Sequence, residues 1–500
     1  MVETRASHPN RWAILAVLCA ALLVVVIDVT VLHVAAPAIS ADLDPTALQL
    51  LWIIDIYPLV AAPLLLASGV AGDRLGRKSV LMAGFLVFGI ASVAAAFAPT
   101  AETLIAARAL LGVGGAMIMP PTMSIIRDAF RDRDERVRAV GIWSAVSAGG
   151  AAIGPLVGGF LVENWWWGSV FLINVPILLV VAPIAIRLLP RSKAESPPPW
   201  DTIAVVLAAV GILGIAFGFK EGARYGFFDV KSLVAILVGA ISLYLFVQGQ
   251  LNQERPLLNV RLFARREFAV AVGCVFLSMF GLVGIEFFGA QYLQLVLGLE
   301  PLAAAIRLLP LMISTLIGGL LAARVLSRLG TKATITLGLG ATTIGLLPML
   351  ALGVQDQYWL LWPSFLLIGF ALEVALVAAN DVIISSVPAD EAGGAAAIEE
   401  TAYELGGGFG VAVLGSVLAI AYSSQVGPIE GVSSVGIRTA RESLSRAIDI
   451  SQTMPTTMAE PLITGARLAF MSGYHTMILV SVGILGISAL ISGFALRNQR

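Results

Sequence analysis

Long apolar runs separated by short polar segments dominate this chain. A membrane-spanning helix needs about 20 consecutive, mostly apolar residues. Fourteen stretches reach that length, and little sequence remains for a water-soluble domain. The pattern therefore predicts an all-α membrane protein with fourteen transmembrane helices. The stretches cover residues 12–36, 50–72, 79–97, 101–124, 139–162, 168–187, 202–220, 232–251, 268–291, 302–323, 333–353, 359–381, 394–421 and 473–496.

The distribution of basic residues predicts the orientation of these helices. Segments rich in Lys and Arg stay on the cytoplasmic side of a membrane. With the N-terminus inside, most of the 31 basic residues fall in cytoplasmic segments. Lys220 falls in an outside segment, and only Arg108 and Arg307 lie within the predicted helices. We therefore expect both termini to face the cytoplasm, with the first stretch as an uncleaved helix rather than a signal peptide.

A sequence motif that occurs twice in the chain suggests a duplicated architecture. GVAGDRLGRK follows the second stretch and AARVLSRLGTK follows the tenth, which aligns Gly76 with Gly330. Such repeats are common in secondary transporters, whose sites lie near the midplane between the repeats. The predicted organisation is a six-helix bundle over 1–190, a cytoplasmic linker with an inserted helix pair over 191–254, and a second six-helix bundle over 255–500 with a long extracellular loop at 422–472.

The long loop contains an amphipathic segment, ARESLSRAID. It spaces Ala440, Leu444, Ala447 and Ile448 on one helical face. We expect a short helix here that caps the outer vestibule, and the alternative is a solvated tether between the last two spans.

Composition excludes several classes of protein. Hydrophobic residues make up 58% and charged residues 13%, against about 45–50% and 25% in soluble domains. A net charge of −1 leaves no basic excess for nucleic acid. Cys19 and Cys274 lie in apolar runs, and the three histidines are far apart in sequence, so metal sites and nucleophilic catalysis lack support. We expect no catalytic residue, metal or cofactor. A membrane enzyme or an ion channel is the less favoured reading.

Carboxylates outnumber bases inside the apolar stretches. Each ionisable residue at a helix centre costs about 2.5 kcal/mol or more, so it is a functional candidate by default. Burial disfavours the charged form of a carboxyl, so the same group can hold a proton or a cationic ligand. The acids in question are Asp28, Asp55, Glu286, Glu373, Glu399, Glu400 and Glu404, with Asp381 at a helix end.

Depth along each helix suggests how these acids are grouped. Asp28 and Asp55 lie at similar depths below the outer helix ends and could line one outward vestibule. Glu400 and Glu404 are four residues apart and share one helix face. Glu286 lies closer to the outer end, as a rim residue would. For all of these acids the alternative is an interhelical contact that only fixes packing, and we favour it for Glu399.

Arg108 is the one deeply placed base in this prediction. A guanidinium cannot be deprotonated in a protein, so it needs a partner or water within the bundle. We expect that partner to be an acid of the first helix or a nearby carbonyl. The pair would either stiffen the bundle or take part in coupling.

Several motifs in this chain resemble the major facilitator superfamily, in particular its fourteen-helix drug:proton antiporter branch. GVAGDRLGRK resembles the loop 2–3 signature, and LIAARALLGVGGA resembles the proton-coupling motif of helix 4. GAAIGPLVGGFL is similar to the antiporter motif of helix 5, and IDVTVLHVAAP to the helix 1 motif of the branch. The resemblance covers almost the whole chain.

Four further strings, LLWIIDIYPL, FLINVP, NDVI and EETAYELGGGFGVAVLGS, are most similar to quaternary-ammonium and multidrug exporters. The resemblance implies a monomer in the bacterial plasma (inner) membrane that exports lipophilic cationic drugs and dyes by alternating access. It also implies the proton gradient as the driving force, with no cofactor. The residues themselves leave open a different small molecule or lipid as cargo, and sodium as the coupling ion.

The resemblance implies two sets of functional residues. Those expected to bind substrate or protons are Asp28, Asp55, Arg108, Glu286, Glu373, Asn380, Asp381, Glu400, Tyr403 and Glu404. Those expected to act in gating or conformational change are Gly69, Asp73, Arg74, Gly76, Arg77, Lys78, Gly150, Gly154, Pro155, Gly158 and Gly159.

Overall fold

A computed structural model describes residues 9–130, 132–193, 200–226, 228–254, 256–387, 392–429 and 431–496. Within these ranges the regular structure is helical throughout. Fourteen helices are long and apolar enough to cross a membrane, which confirms the predicted all-α, multi-pass architecture.

The helices are labelled in chain order. The first nine are α1 (Arg11–Leu43), α2 (Ala47–Leu75), α3 (Arg77–Ala96), α4 (Ala101–Ala129), α5 (Arg133–Asn164), α6 (Ser169–Leu172), α7 (Asn174–Leu188), α8 (Thr202–Tyr225) and α9 (Val230–Asn252). α6 and α7 together form one span. The others are α10 (Arg266–Gln291), α11 (Pro301–Leu329), α12 (Thr331–Leu346), α13 (Tyr358–Ser385), α14 (Ala392–Gln425), α15 (Ser434–Ala440), α16 (Leu444–Ser451) and α17 (Thr456–Ala495). Short 3-10 turns at Val260–Ala264 and Leu347–Ala351 and a π turn at Tyr292–Val296 complete the set.

The spans form two halves and one inserted pair. In the first half, α1 packs against α5, and α4 packs against α2 and α3. In the second, α13 packs against α11 and α12, and α14 packs against α10 and α17. The halves meet where α2 contacts α14 and where α5 contacts α11. The inserted helices α8 and α9 pack on each other, and α8 lies against both α2 and α14. The inserted pair therefore lies beside one of the two seams between the halves.

The repeated motif builds the same turn in both halves. Gly76 separates α2 from α3 and has φ +105°, and Gly330 separates α11 from α12 with φ +76°. Glycine adopts positive φ without the penalty that a Cβ would bring. Each glycine thus reverses the chain between two spans within a single residue.

The predicted glycine spacing on α5 produces a close helix contact. Gly150, Gly154 and Gly158 all face α1, and a Cβ added at any of them would lie under 3.0 Å from an α1 atom. Small residues at this spacing let two membrane helices approach closely. Gly159 points instead to the second half, where its added Cβ would lie 2.8 Å from the Cα of Leu302 on α11.

The segment predicted as a long loop over 422–472 is largely helical. α14 continues to Gln425 and α17 already begins at Thr456, with α15 and α16 between them. At 1.5 Å per residue, the 40 residues of α17 extend about 60 Å, roughly twice the thickness of a bilayer core. The helix therefore projects beyond the apolar stretch from which its start was predicted.

The short amphipathic helix expected in this segment is confirmed as α16, but Ala440 lies on α15, because the chain breaks between the two helices. The break falls between α15 and α16, where the Ser443 side chain caps α16 by accepting from the backbone N–H of Arg446. Leu444 and Ala447 are buried as their spacing predicts. Arg446 donates to the carboxylate of Asp44 at 2.5 Å, so α16 is anchored on the end of α1.

We call the side on which α1 begins and α17 ends the terminal side, and the opposite side the distal side. On the distal side the halves touch. Gln294 donates to the backbone oxygen of Val34 at 3.0 Å, and the His33 Nδ1 lies 3.5 Å from the carboxylate of Glu286. The contacts of Arg446 with Asp44 join the halves on this side as well. The protein is therefore closed distally.

Candidate functional site

Asp28 lies in the middle of α1 at the centre of a buried polar cluster. Its Oδ2 accepts from Nη1 of Arg108 on α4 at 2.5 Å, and its Oδ1 accepts from Nδ2 of Asn174 on α7 at 2.8 Å. Arg108 also donates through Nε to the backbone oxygen of Ile53 on α2 at 3.2 Å. The partner predicted for Arg108, an acid of the first helix or a carbonyl, is confirmed, since it has both. Four helices thus share one buried charge pair.

Aromatic rings complete the surroundings of Arg108. The guanidinium carbon lies 4.9 Å from the ring centre of Tyr57 and 5.8 Å from that of Phe171. Tyr57 is itself 1% exposed, and its hydroxyl occupies the space that a side chain at Gly115 would need. Cation–π contacts of this kind stabilise a desolvated guanidinium. The Asp28–Arg108 pair is therefore held tightly in this conformation.

Asp55 is not part of this cluster. It faces α8, where its Oδ1 accepts from the ammonium of Lys220 at 2.7 Å, and both side chains are fully buried. Two predictions are therefore wrong in this conformation. Lys220 does not lie in an outside segment, and Asp28 and Asp55 do not line one open vestibule. The predicted seventh stretch ends at its first charged residue, Lys220, whereas the buried partner of this lysine allows α8 to continue to Tyr225.

Four carboxylates of the second half converge on Tyr403. Its hydroxyl interacts electrostatically with Glu286 from α10, with Glu373 from α13, and with Glu400 and Glu404 from α14. Three helices therefore bring together acids that lie far apart in sequence. We call these five residues the acidic cluster.

The acidic cluster faces the buried pair of the first half. Glu404 interacts electrostatically with Arg108, and the Tyr57 hydroxyl interacts with both Glu404 and Glu400. Tyr403 is 40% exposed, although it lies about 16 Å from the terminal end of α14 at 1.5 Å per residue. The acidic cluster thus lies where the two halves face each other, close to mid-depth, and its Tyr403 side chain is accessible.

Glu373 is accommodated by two small residues of the neighbouring helix. The Cβ positions of Gly318 and Gly319 on α11 would lie 3.2 Å from the Glu373 Cβ and 3.4 Å from its Oε1. Asn380 and Asp381 lie nearer the terminal end of α13, and neither joins the interactions with Tyr403 among the described residues. Asp381 is exposed, while the Asn380 side-chain oxygen is buried without a hydrogen-bond partner in the described ranges.

The loop signature at 69–78 ties together helices of the first half. Arg77 donates to Asp73 at 3.1 Å and also pairs with Asp128 on α4. The Lys78 ammonium donates to the backbone oxygen of Leu189, just after α7, at 2.9 Å. These contacts of Arg77 and Lys78 lie within the first half, on the terminal side.

The other residues predicted for gating lie at helix contacts and bends. Gly69 of α2 faces Pro120 of α4, Arg74 lies in the last turn of α2, and Pro155 lies inside α5 between its glycines. The structure brings Gly69 into the contact with α4 and places Pro155 on the helix that joins both halves.

Sequence reasoning missed three residues that complete these sites: Asn174, Lys220, and Trp52, whose ring centre lies 3.5 Å from the Lys220 ammonium. Asn174 and Lys220 each carried a signal. Asn174 is the polar residue of the apolar string FLINVP, and a lysine at the end of an apolar stretch can belong to the helix when an acid is available to pair with it. Within the described ranges, no three His, Cys, Asp or Glu side chains are grouped so as to hold a metal ion.

The sequence is similar to known families and proteins over nearly its full length. The family described as Major Facilitator Superfamily matches residues 18–411. The chain is 39% identical over 496 residues to the multidrug efflux pump LfrA of Mycolicibacterium smegmatis, covering 99% of this chain and 98% of LfrA. It is 39% identical over 474 residues to the methyl viologen resistance protein SmvA of Salmonella typhimurium, covering 95% and 96%.

Solved structures share the fold at low sequence identity. A bacterial homologue of the human lysosomal transporter Spinster, in an inward-facing and unoccupied conformation, superposes with a TM-score of 0.63 at 17% identity, covering 97% of this chain and 98% of the other. The D-xylose–proton symporter gives 0.61 at 13% identity, with 97% and 98% covered. These matches show a common architecture.

Proposed function

Because the chain belongs to the major facilitator superfamily and is a membrane transporter rather than an enzyme, we propose that it exports lipophilic organic cations in exchange for protons. The efflux pumps related to the chain over nearly its full length support drug efflux. The acidic cluster supports organic cations as the cargo and protons as the exchanged ion.

The chemistry of the acidic cluster suits a cationic ligand. Glu400 and Glu404 supply negative charge, and Tyr403, whose side chain is accessible, supplies an aromatic face. Aromatic faces attract organic cations, including quaternary ammonium groups. SmvA is named for resistance to methyl viologen, an organic dication, and LfrA for multidrug efflux. A broad cation site between the halves fits both kinds of relative.

The same carboxylates can bind either the organic cation or protons, which allows one to be exchanged for the other. A protonated, neutral cluster has no Coulomb attraction for a cation, so proton uptake releases the ligand and proton loss restores the site. The Lys/Arg bias assigns the terminal side to the cytoplasm, so the distally closed structure is the one that loads from inside. Alternating access then opens the site to the opposite face of the bacterial plasma membrane. The proton gradient drives this cycle, and the protein works as a monomer without a cofactor.

Transport in proteoliposomes tests this proposal. Purified protein is reconstituted with an imposed pH gradient, and movement of ethidium, methyl viologen and an uncharged antibiotic is followed. We expect gradient-dependent movement of both cations, with matching proton counterflow reported by an internal pH dye. Glu404→Gln should reduce both fluxes. Transport of the uncharged compound alone, or cation transport without proton counterflow, would contradict the proposal. A sodium gradient in place of the proton gradient tests the other coupling ion.

A further inference from the structure

Asp55, Trp52 and Lys220 form a complete cation site that the protein fills with its own side chain. The Lys220 ammonium lies 2.7 Å from Oδ1 of Asp55 and 3.5 Å from the ring centre of Trp52. A carboxylate and an aromatic face are the groups that bind organic cations. The second oxygen of Asp55, Oδ2, is buried and has no hydrogen-bond donor among the described residues. Oδ2 of Asp55 can therefore accept a further hydrogen bond or contact a cation.

A cavity next to Lys220 gives its side chain somewhere to move. The cavity has a volume of about 230 Å³ and lies between the distal ends of α2, α8 and α14, the end of α15 and the residues that follow α15. Lys220 and Glu442 both line it, together with Arg438 and Arg441. Lysine has a flexible four-carbon stem, and Glu442, whose carboxylate lies 3.8 Å from Nε of Arg446, offers a second carboxylate at the same cavity. The ammonium thus has two alternative acidic partners.

The charges at the cavity favour the observed position of Lys220. Arg438 and Arg441 repel another positive charge in the cavity, so at rest the ammonium is driven toward Asp55. The same two arginines oppose entry of a cation from the distal side. A cation would therefore reach Asp55 from the interior of the protein.

The α2–α14 seam provides the route from the acidic cluster. Leu59 of α2 lies one turn from Asp55 and packs in a small apolar cluster with Ala216 of α8 and with Leu405 and Phe409 of α14. Leu405 directly follows Glu404 in sequence. The distal parts of α2 and α14 must separate for the protein to open distally, and this separation would expose the Asp55 side of α2 to the interior.

We propose that Asp55 and Trp52 form a second binding site for an organic cation on the distal part of the transport path, and that Lys220 is a tethered competitor for it. This inference rests on the proposed cation export and extends it. Because a buried carboxylate is costly without a counter-charge, the ligand and the Lys220 ammonium exchange rather than leave separately. An arriving cation displaces Lys220 toward Glu442, and the return of Lys220 expels the cation to the distal side. In this proposal the function of the inserted helix pair is to hold Lys220, which lies on α8, next to Asp55.

Chemical labelling of the wild-type chain tests the displacement. The full-length protein in lipid nanodiscs is treated with formaldehyde and cyanoborohydride with or without saturating ethidium, and dimethylation is mapped by peptide mass spectrometry. The chain has only five lysines, so each site is resolved. We expect ethidium to raise the labelling rate of Lys220 by at least ~fivefold, because the bound cation shifts the Lys220 side chain from its position at Asp55 to its position in the cavity. Lys231, exposed at the start of α9, is the control and should not change.

Cation binding to two variants tests the site itself. Lys220→Met removes the competitor, and Lys220→Met/Asp55→Asn removes the acid as well. We expect Lys220→Met to bind ethidium about tenfold more tightly than the wild type, a gain of about 1.4 kcal/mol, and the double variant to lose that gain.

The outcomes separate this inference from the proposed function. If wild-type protein binds ethidium but Lys220 labelling is unchanged and the two variants bind equally, both the second site at Asp55 and the tethered competitor are refuted, while the proposed cation export stands. If wild-type protein binds no organic cation, both proposals are refuted. If Lys220→Met fails to fold, the wild-type labelling result decides.

Discussion

At the scale of single residues, the two buried ion pairs differ in how completely they are satisfied. Both carboxylate oxygens of Asp28 accept hydrogen bonds, one from Arg108 and one from Asn174. Asp55 has one partner, Lys220, and one unsatisfied oxygen. Removing one member of a buried pair costs about 3–5 kcal/mol because the other charge is left uncompensated. Asp28 is thus suited to hold the helices in register, and Asp55 is suited to exchange.

Asp28→Asn should abolish proton-coupled cation export and also lower thermal stability, because Arg108 is left without its counter-charge. A second substitution, Arg108→Gln, should restore much of the lost stability in the double variant without restoring export. Melting curves and proteoliposome flux measure the two effects separately. Glu163→Gln, an exposed acid at the distal end of α5, is the matched control. Wild-type export by Asp28→Asn would show that this carboxylate is not needed.

At the scale of helices, the contact between α1 and α5 depends on the absence of side chains. The spacing of Gly150, Gly154 and Gly158 places all three glycines on one face, and that face lies against α1. The next residue in the motif, Gly159, lies against α11 of the other half. One helix therefore packs closely on its own half and on the opposite half, which suits it to transmit relative movement of the halves.

Gly154→Val should destabilise the protein by about 1–3 kcal/mol through overpacking, because its Cβ would overlap the Thr30 hydroxyl. Gly149→Val is the control on the same helix, since its added Cβ would have no neighbour within 4 Å. Thermal melting in detergent and abundance in the membrane report the difference. Equal losses for both variants would mean that helix propensity, rather than the α1 contact, governs this segment.

At the scale of the whole molecule, the halves touch on the distal side while an accessible acidic cluster lies between them. The distal contacts combine the α16 anchor on Asp44 with the His33–Glu286 and Gln294–Val34 contacts. A transporter closed on one side exposes its site to the other. If the terminal side is cytoplasmic, this conformation accepts cargo from the cytoplasm.

A cysteine in place of Tyr403 should react with a membrane-impermeant maleimide from the terminal side and be protected from the distal side. Phe228 lies in the turn between α8 and α9 and is 91% exposed. Phe228→Cys should therefore react from the distal side and be protected from the terminal side. The native Cys19 and Cys274 are buried and give little background. Labelling in inverted and right-side-out vesicles provides the comparison. Equal labelling of Tyr403→Cys from both sides would contradict the distally closed state, and the Phe228→Cys result tests the orientation separately.

The amino-acid sequence by itself determined the number of spans, the duplication of the turn at Gly76 and Gly330, and the family. These properties are local. The length of an apolar run is set by bilayer thickness, and a turn that needs positive φ requires a glycine at one position. The glycine face of α5 was predictable for the same reason, since its period follows from helix geometry.

Only the tertiary structure decided which charges meet. An acid in an apolar helix indicates that a partner exists, but depth along the helix carries no information about rotation toward one neighbour or another. Asp28 and Asp55 have similar depths, yet one faces Arg108 and the other faces Lys220. The pairing of Asp55 also decided where α8 ends, because a lysine is tolerated inside a span only when an acid from another helix compensates its charge.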